Sequence, residues 1–253
     1  MAKLDLSTKT ALVTGASRGF GRATVHAFRD QGAKVVGVAR NVEQLETLQQ
    51  ELGDGFIPIV GDVCESELAE RLVHQLSPDI LVLNAGATPM ASPLQDQTWE
   101  TFSQNWNVDT RHVFNWTKQA LTLPLRPGSV VISLSSGAAI GGSPLSGGYA
   151  SAKAAVRFIS QYAAGESDRE ALGIRFTVLL PQITPTTDLG AAGVAAYAER
   201  EGVEIEMFLN RFGPLLTPEL VGEAVVDLAI GEDSADGHGL AFMLSGAGLR
   251  VID

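Results

Sequence analysis

Cysteine is nearly absent. Cys64 stands alone in 253 residues, which excludes an intramolecular disulfide framework and fits a reducing compartment. Cations are scarce as well: 18 Lys and Arg face 29 Asp and Glu, a formal net charge of −11. Such a surface repels polyphosphate backbones and anionic headgroups, so neither nucleic-acid nor membrane binding is expected, although a local basic pocket is allowed. No apolar run approaches the ~20 residues that span a bilayer. The opening Met1-Ala2-Lys3-Leu4-Asp5-Leu6-Ser7 lacks the apolar core of a secretory signal. His26, His74, His112 and His238 have no metal-like spacing, and no metal site is expected. These absences describe a soluble, cytoplasmic protein.

What is present is a length sufficient for one well-buried core and 45% hydrophobic residues. Short apolar runs alternate with longer helical patterns. Thr10–Thr14, Ala33–Ala39, Phe56–Val60, Ile80–Leu83, Val130–Ile132, Phe176–Leu180 and Leu240–Leu244 read as strands. Unbroken runs such as Ile80-Leu81-Val82-Leu83 suit strands covered by helices on both faces. Helices are expected over Gly19–Gln31, through Leu45, Leu48 and Leu52, over Glu65–Leu76, and as two long elements, Thr98–Leu121 and Tyr149–Glu170. Repeated βα units with right-handed crossovers give an α/β doubly wound parallel sheet of about seven strands with helices on both faces. No linker or repeat divides the chain, so residues 1–253 read as one domain. The stretch from Gln182 to Thr217 breaks the rhythm after a strand end, where such sheets bind ligands, and is expected to form a substrate lid.

Thr14-Gly15-Ala16-Ser17-Arg18-Gly19-Phe20-Gly21 lies between the first strand and the first helix. Glycines there permit a tight turn and bring backbone N–H groups to a pyrophosphate at a helix N-terminus. In dinucleotide folds an acid near the end of the second strand holds the ribose hydroxyls. Here that region carries Ala39 and then Arg40. A guanidinium holds a 2′-phosphate that an acid would repel, and Arg18 within the turn is placed to join it. The expected cofactor is therefore NADP(H).

Tyr149-Ala150-Ser151-Ala152-Lys153 opens a helical pattern. At i and i+4 a phenol and an ammonium share one face, and the cation favours the phenolate, so Tyr149 is suited to exchange a proton with a carbonyl or alcohol. Ser136 precedes Tyr149 by thirteen residues at a strand end, where its hydroxyl is placed to meet the same oxygen. Ser135 is adjacent, and spacing alone separates the two.

Together, Thr14-Gly15-(x)3-Gly19-x-Gly21, Asp62-Val63, Asn84-Ala85-Gly86, Asn107, Ser136 and Tyr149-(x)3-Lys153 resemble the short-chain dehydrogenase/reductase family over essentially the whole chain. The resemblance implies Tyr149 as acid/base, Ser136 as holder of the substrate oxygen, and Lys153 as ligand of the nicotinamide ribose and tuner of Tyr149. It implies that Asn107 positions Lys153 and a water in a proton relay. Cofactor contacts are implied at Gly15, Ser17, Arg18, Gly19, Phe20, Gly21 and Arg40, at Asp62 and Val63 beside the adenine, and at Asn84, Ala85, Gly86, Pro181 and Thr186. Gln182 departs from the pattern by standing where glycine is usual. The implied activity is hydride transfer between NADP(H) and a carbonyl or secondary alcohol, in a homo-oligomer, tetramer or dimer. Two alternatives stand beside it: an NADP(H)-binding regulator without turnover, and non-redox elimination or dehalogenation on the same fold. Cys64 reads as a small buried hydrophobe. Trp99 and Trp106 read as a packing face, and Met90, Tyr197, Met207 and Phe208 as residues able to line a substrate site.

Overall fold

The computed structural model describes residues 5–230 and 237–252; Met1–Leu4 of the opening stretch lie outside them. Eight strands form one sheet: β1 (Thr10–Thr14), β2 (Lys34–Ala39), β3 (Phe56–Val60), β4 (Ile80–Leu83), β5 (Val130–Leu134), β6 (Arg175–Pro181), β7 (Ala241–Ser245) and β8 (Gly248–Ile252). Ten α-helical segments accompany them among the described residues: α1 (Gly19–Asp30), α2 (Val42–Leu52), α3 (Ser66–Leu76), α4 (Trp99–Asn105), α5 (Arg111–Thr122), α6 (Ala138–Gly141), α7 (Gly147–Arg169), α8 (Asp188–Glu201), α9 (Ile205–Leu209) and α10 (Pro218–Ile230).

The strand order is β3-β2-β1-β4-β5-β6-β7-β8, parallel from β3 to β7 and antiparallel between β7 and β8. The expected seven strands are thus joined by an eighth. β8 pairs Arg250 with Met243 and Ile252 with Ala241, but most of its residues are exposed, so it carries no apolar run to announce it.

Alternation along the parallel strands sends side chains into two cores. Val13, Val82 and Ile132 pack with Val25, Phe28, Val221 and Val225 of α1 and α10. Leu12, Leu81 and Val131 pack with Leu72, Trp116 and Val156 of α3, α5 and α7. Both faces are dry, which explains why these strands read as continuous apolar runs. The expected helix over Thr98–Leu121 divides into three: α4, a π-helical stretch at Trp106–Thr110, and α5. Such widened turns are rare and tend to stand at functional sites.

The order reverses at β1, which has β2 on one side and β4 on the other. That switch point opens a crevice beyond the carboxyl ends of the strands.

Candidate active site

The loops after β1 and β4 are tied together by one threonine and one asparagine. Thr14 Oγ1 donates to the Val82 carbonyl (3.1 Å) and accepts from the Asn84 N–H (3.0 Å). The Asn84 amide donates in turn to the carbonyls of Thr14 (3.0 Å) and Gly15 (3.2 Å). Gly21, at the start of α1, closes this packing: a Cβ there would stand 2.1 Å from the Gly15 oxygen. Gly19 is the opposite case. Its φ is +54° and a Cβ would meet only Thr187, at 3.8 Å, so the backbone at the head of α1 is open to a group in the crevice. An approaching pyrophosphate fits that opening and the positive end of α1.

A cleft of about 1450 Å³ runs from this turn across the sheet. Its wall includes Gly15, Ser17, Arg18, Gly19 and Phe20, then Arg40, Asp62 and Val63, and further on Asn84, Ala85 and Gly86. Beyond them it carries Ser136, Tyr149, Lys153, Pro181 and Thr186. The structure therefore brings the two halves of the sequence-derived set into one continuous cavity, with Gly21 buried just behind it. Asp62 also organises its own loop, since its carboxylate accepts the Cys64 N–H at 2.9 Å. Burial, with Asp62 beside it, pushes the Cys64 thiol up to about 11, which leaves it a poor nucleophile.

Hydrogen bonding separates the two serines. Ser135 is buried and spends its hydroxyl on the Lys153 carbonyl (2.7 Å), fastening β5 to α7. Ser136 lines the cleft, and its oxygen accepts from the Ala138 N–H (3.2 Å). The Ser136 proton remains available for a substrate oxygen. One turn apart on α7, Lys153 Nζ stands 5.7 Å from the centroid of the Tyr149 ring. The ammonium donates to the Leu134 carbonyl (3.1 Å) and pairs with the Asp109 carboxylate at 3.1 Å. Burial opposes its charge, but Asp109 and Tyr149 outweigh that and raise the Lys153 pKa.

Asn107 does not take the position expected of it. It is exposed, and its side-chain amide donates to Ser103 Oγ at 3.4 Å. The side chain that reaches Lys153 is Asp109, which is 1% exposed. The reason is helical phase. Asn105, Asp109, Val113, Trp116 and Ala120 follow the i, i+4, i+3 rhythm of the buried face, whereas Asn107 lies two residues off it. Counting back from Val113 and Trp116 in the sequence would have found Asp109.

Other expectations are adjusted as well. Arg18 is engaged: its Nη1 lies 2.9 Å from the Asp188 carboxylate at the start of α8. Arg40 lines the cleft with no ion pair or hydrogen bond to a described residue. Gln182 turns its amide to the Phe212 carbonyl (3.4 Å) and so braces the segment after β6. In that segment Tyr197 stacks on Phe208 with ring centroids 6.0 Å apart, and its hydroxyl bonds Ser143, six residues before Tyr149. Tyr197 and Phe208 line the cleft; Met90 and Met207 are exposed and do not. Trp106 donates its indole N–H to Ser151 Oγ at 2.9 Å, while Trp99 is exposed and stacks on Phe102.

Comparison with known proteins agrees with this geometry. Residues 9–196 match the family model described as short chain dehydrogenase. The chain is 35% identical to a serine 3-dehydrogenase of Agrobacterium fabrum over 190 residues, covering 70% of this chain and 72% of that protein. It is 31% identical to carbonyl reductase [NADPH] 2 of Sus scrofa, covering 79% and 80% of the two chains. Among solved structures, a 3-ketoacyl-(acyl-carrier-protein) reductase from Brucella melitensis complexed with NADH superposes with a TM-score of 0.80 at 25% identity, covering 96% of this chain and 98% of that one. With the family model matched over most of its length and relatives at 31–35% identity covered to two thirds or more, the chain belongs to the short-chain dehydrogenase/reductase family of oxidoreductases.

Proposed function

We propose that this protein is an NADP(H)-dependent carbonyl reductase, or the reverse alcohol dehydrogenase. The observation that carries the reading is the single cleft in which the open glycine turn and Arg40 stand at one end and Ser136, Tyr149 and Lys153 at the other. The nicotinamide group, when bound, supplies the hydride for the carbonyl carbon. Ser136 donates a hydrogen bond to the carbonyl oxygen and steadies the charge that grows there. Tyr149 delivers the proton that completes the alcohol. Lys153, buried and charged, favours the phenolate left behind. Residues 182–217 close over the cleft as a lid, with the Tyr197–Ser143 bond as one of its attachments.

Arg40 supports NADP(H) over NAD(H). It is a cleft-lining cation with no ion pair to a described residue, and the relatives include one named as NADPH-dependent pterin aldehyde reductase. Arg18 contributes less, because a phosphate must draw it from Asp188, although an exposed pair of this kind is worth only about 0–1 kcal/mol. Arg40→Asp is expected to lower the NADPH-over-NADH affinity ratio by about 10–100-fold, the loss of one charge-assisted contact. Fluorescence titration with both nucleotides measures it; an unchanged ratio refutes the assignment. Binding of neither nucleotide to folded wild-type protein would favour elimination chemistry instead.

The protein acts as a homo-oligomer in this reading. Phe158 and Tyr162 on α7 are exposed and stacked at 6.0 Å, and apolar groups clustered on a surface mark an interface. Light scattering after size exclusion should give the mass of two or four chains, and a monomer would overturn this part.

A further inference from the structure

Asp109 is a buried carboxylate in the wall of the cleft. Its Oδ1 accepts from the Ala87 N–H (2.8 Å) and lies 3.4 Å from the Asn105 amide, which itself donates to the Ala87 carbonyl (2.8 Å). Its Oδ2 faces Lys153 Nζ at 3.1 Å. The same oxygen abuts the cofactor loop, for a Cβ at Gly86 would stand 2.8 Å from it. One buried anion therefore touches both the loop that walls the cofactor crevice and the cation expected to tune Tyr149.

We propose that Asp109 is a positioning residue for Lys153, a fixed counter-charge that holds the ammonium in place and opposes its pull on the Tyr149 phenol. The inference rests on the reading of Tyr149 as the proton donor. A lone cation within about 4–6 Å favours an ionised neighbour. With an anion 3.1 Å behind it, the cation becomes one end of a dipole whose field weakens faster with distance. The pull of the ammonium on the phenol is thereby weakened, which suits a reductase that must donate a proton.

The surrounding groups leave this role to Asp109. From α7 come Tyr149 and Lys153 themselves. From α5 comes His112, held neutral by burial and by Lys153. The loop after β3 contributes Asp62, felt at His112. β5 and the turn after it contribute the Leu134 carbonyl and the hydroxyls of Ser135 and Ser136, and the segment after β6 contributes Tyr197, bonded to Ser143.

The test is Asp109→Asn, which removes the charge and keeps the shape and the bond from Ala87, alongside Asp109→Ser, which removes it with a smaller group. Two readouts are taken. One is the alkaline fall of NADPH-dependent carbonyl reduction with pH. The other is the tyrosinate absorbance titration of the substrate-free protein, assigned to Tyr149 by difference from Tyr149→Phe in a chain with three tyrosines. Both midpoints should move at least about one pH unit lower in both variants. An unchanged midpoint, or a rise because Lys153 has lost its proton, overturns the proposal. So does failure of both variants to fold, which would make the carboxylate a structural ion only. The absorbance readout needs no substrate, so absence of carbonyl turnover with the absorbance shift intact would refute the proposed function and leave the coupling standing.

Discussion

Tyr149→Phe is expected to lower kcat for carbonyl reduction by about 10²–10⁴-fold, the usual contribution of a positioned acid, with little change in the Kd for NADPH. The argument is local. The phenyl ring keeps its place on α7 beside Lys153, so the helix, the Lys153–Leu134 bond and the cleft wall are preserved. Only the proton donor disappears. Ser136 still lines the cleft, so residual turnover above background is expected. NADPH consumption measures the first quantity and quenching or enhancement of nucleotide fluorescence the second. Full turnover in the variant would refute Tyr149 as acid. Joint loss of turnover and nucleotide binding would instead indicate a collapsed cleft.

A comparably large effect is expected on stability. His112 is fully buried on α5, edge-on to Trp116 with ring centroids 6.1 Å apart. The Ala85 backbone approaches the imidazole, but neither ring nitrogen has a partner in good hydrogen-bond geometry. Burial first, and the Lys153 charge second, push the imidazole down from 6.5 to about 3. The folded protein thus resists a proton that the unfolded chain accepts readily. His112 therefore adds no penalty above pH 6.5, and stability is lost as pH falls from there toward about 3. Between pH 7.5 and 5 the loss attributable to this residue is about 2 kcal/mol, or about 4–8 °C in Tm for a chain of this size. His112→Leu, similar in volume and without a titrating group, should flatten that part of the slope. Thermal unfolding of both proteins across this range is the measurement, and parallel slopes would show that His112 does not titrate on unfolding.

The parts of the fold legible in the sequence are those whose signal is local. The strands β1, β2, β4, β5 and β6 were announced by apolar runs because both faces of the sheet are covered there, β3 and β7 by apolar runs that are only partly covered, and α1, α2 and α3 by their periodicity. The glycine turn and the Tyr149–Lys153 pair were legible for the same reason: one turn of helix separates the phenol from the ammonium. β8 was missed because its residues are mostly exposed and its identity as a strand lies in hydrogen bonds to β7. The exchange of Asn107 for Asp109 was a matter of phase. The motif carried both residues; the buried phase of the helix marks Asp109 as the inward one, and packing against α7 sets it opposite Lys153.

By itself, then, the sequence determined the α/β class, the βα rhythm, the glycine turn and the Tyr149–Lys153 spacing, since periodicity and short spacings act through neighbouring residues. Tertiary structure alone decided the Asp109–Lys153 pair, the commitment of the Ser135 hydroxyl to α7, the Arg18–Asp188 contact across 170 positions and the Tyr197–Ser143 bond. Those choices depend on groups far apart in the chain, whose meeting is fixed by how the sheet stacks its layers and not by any pattern within one element.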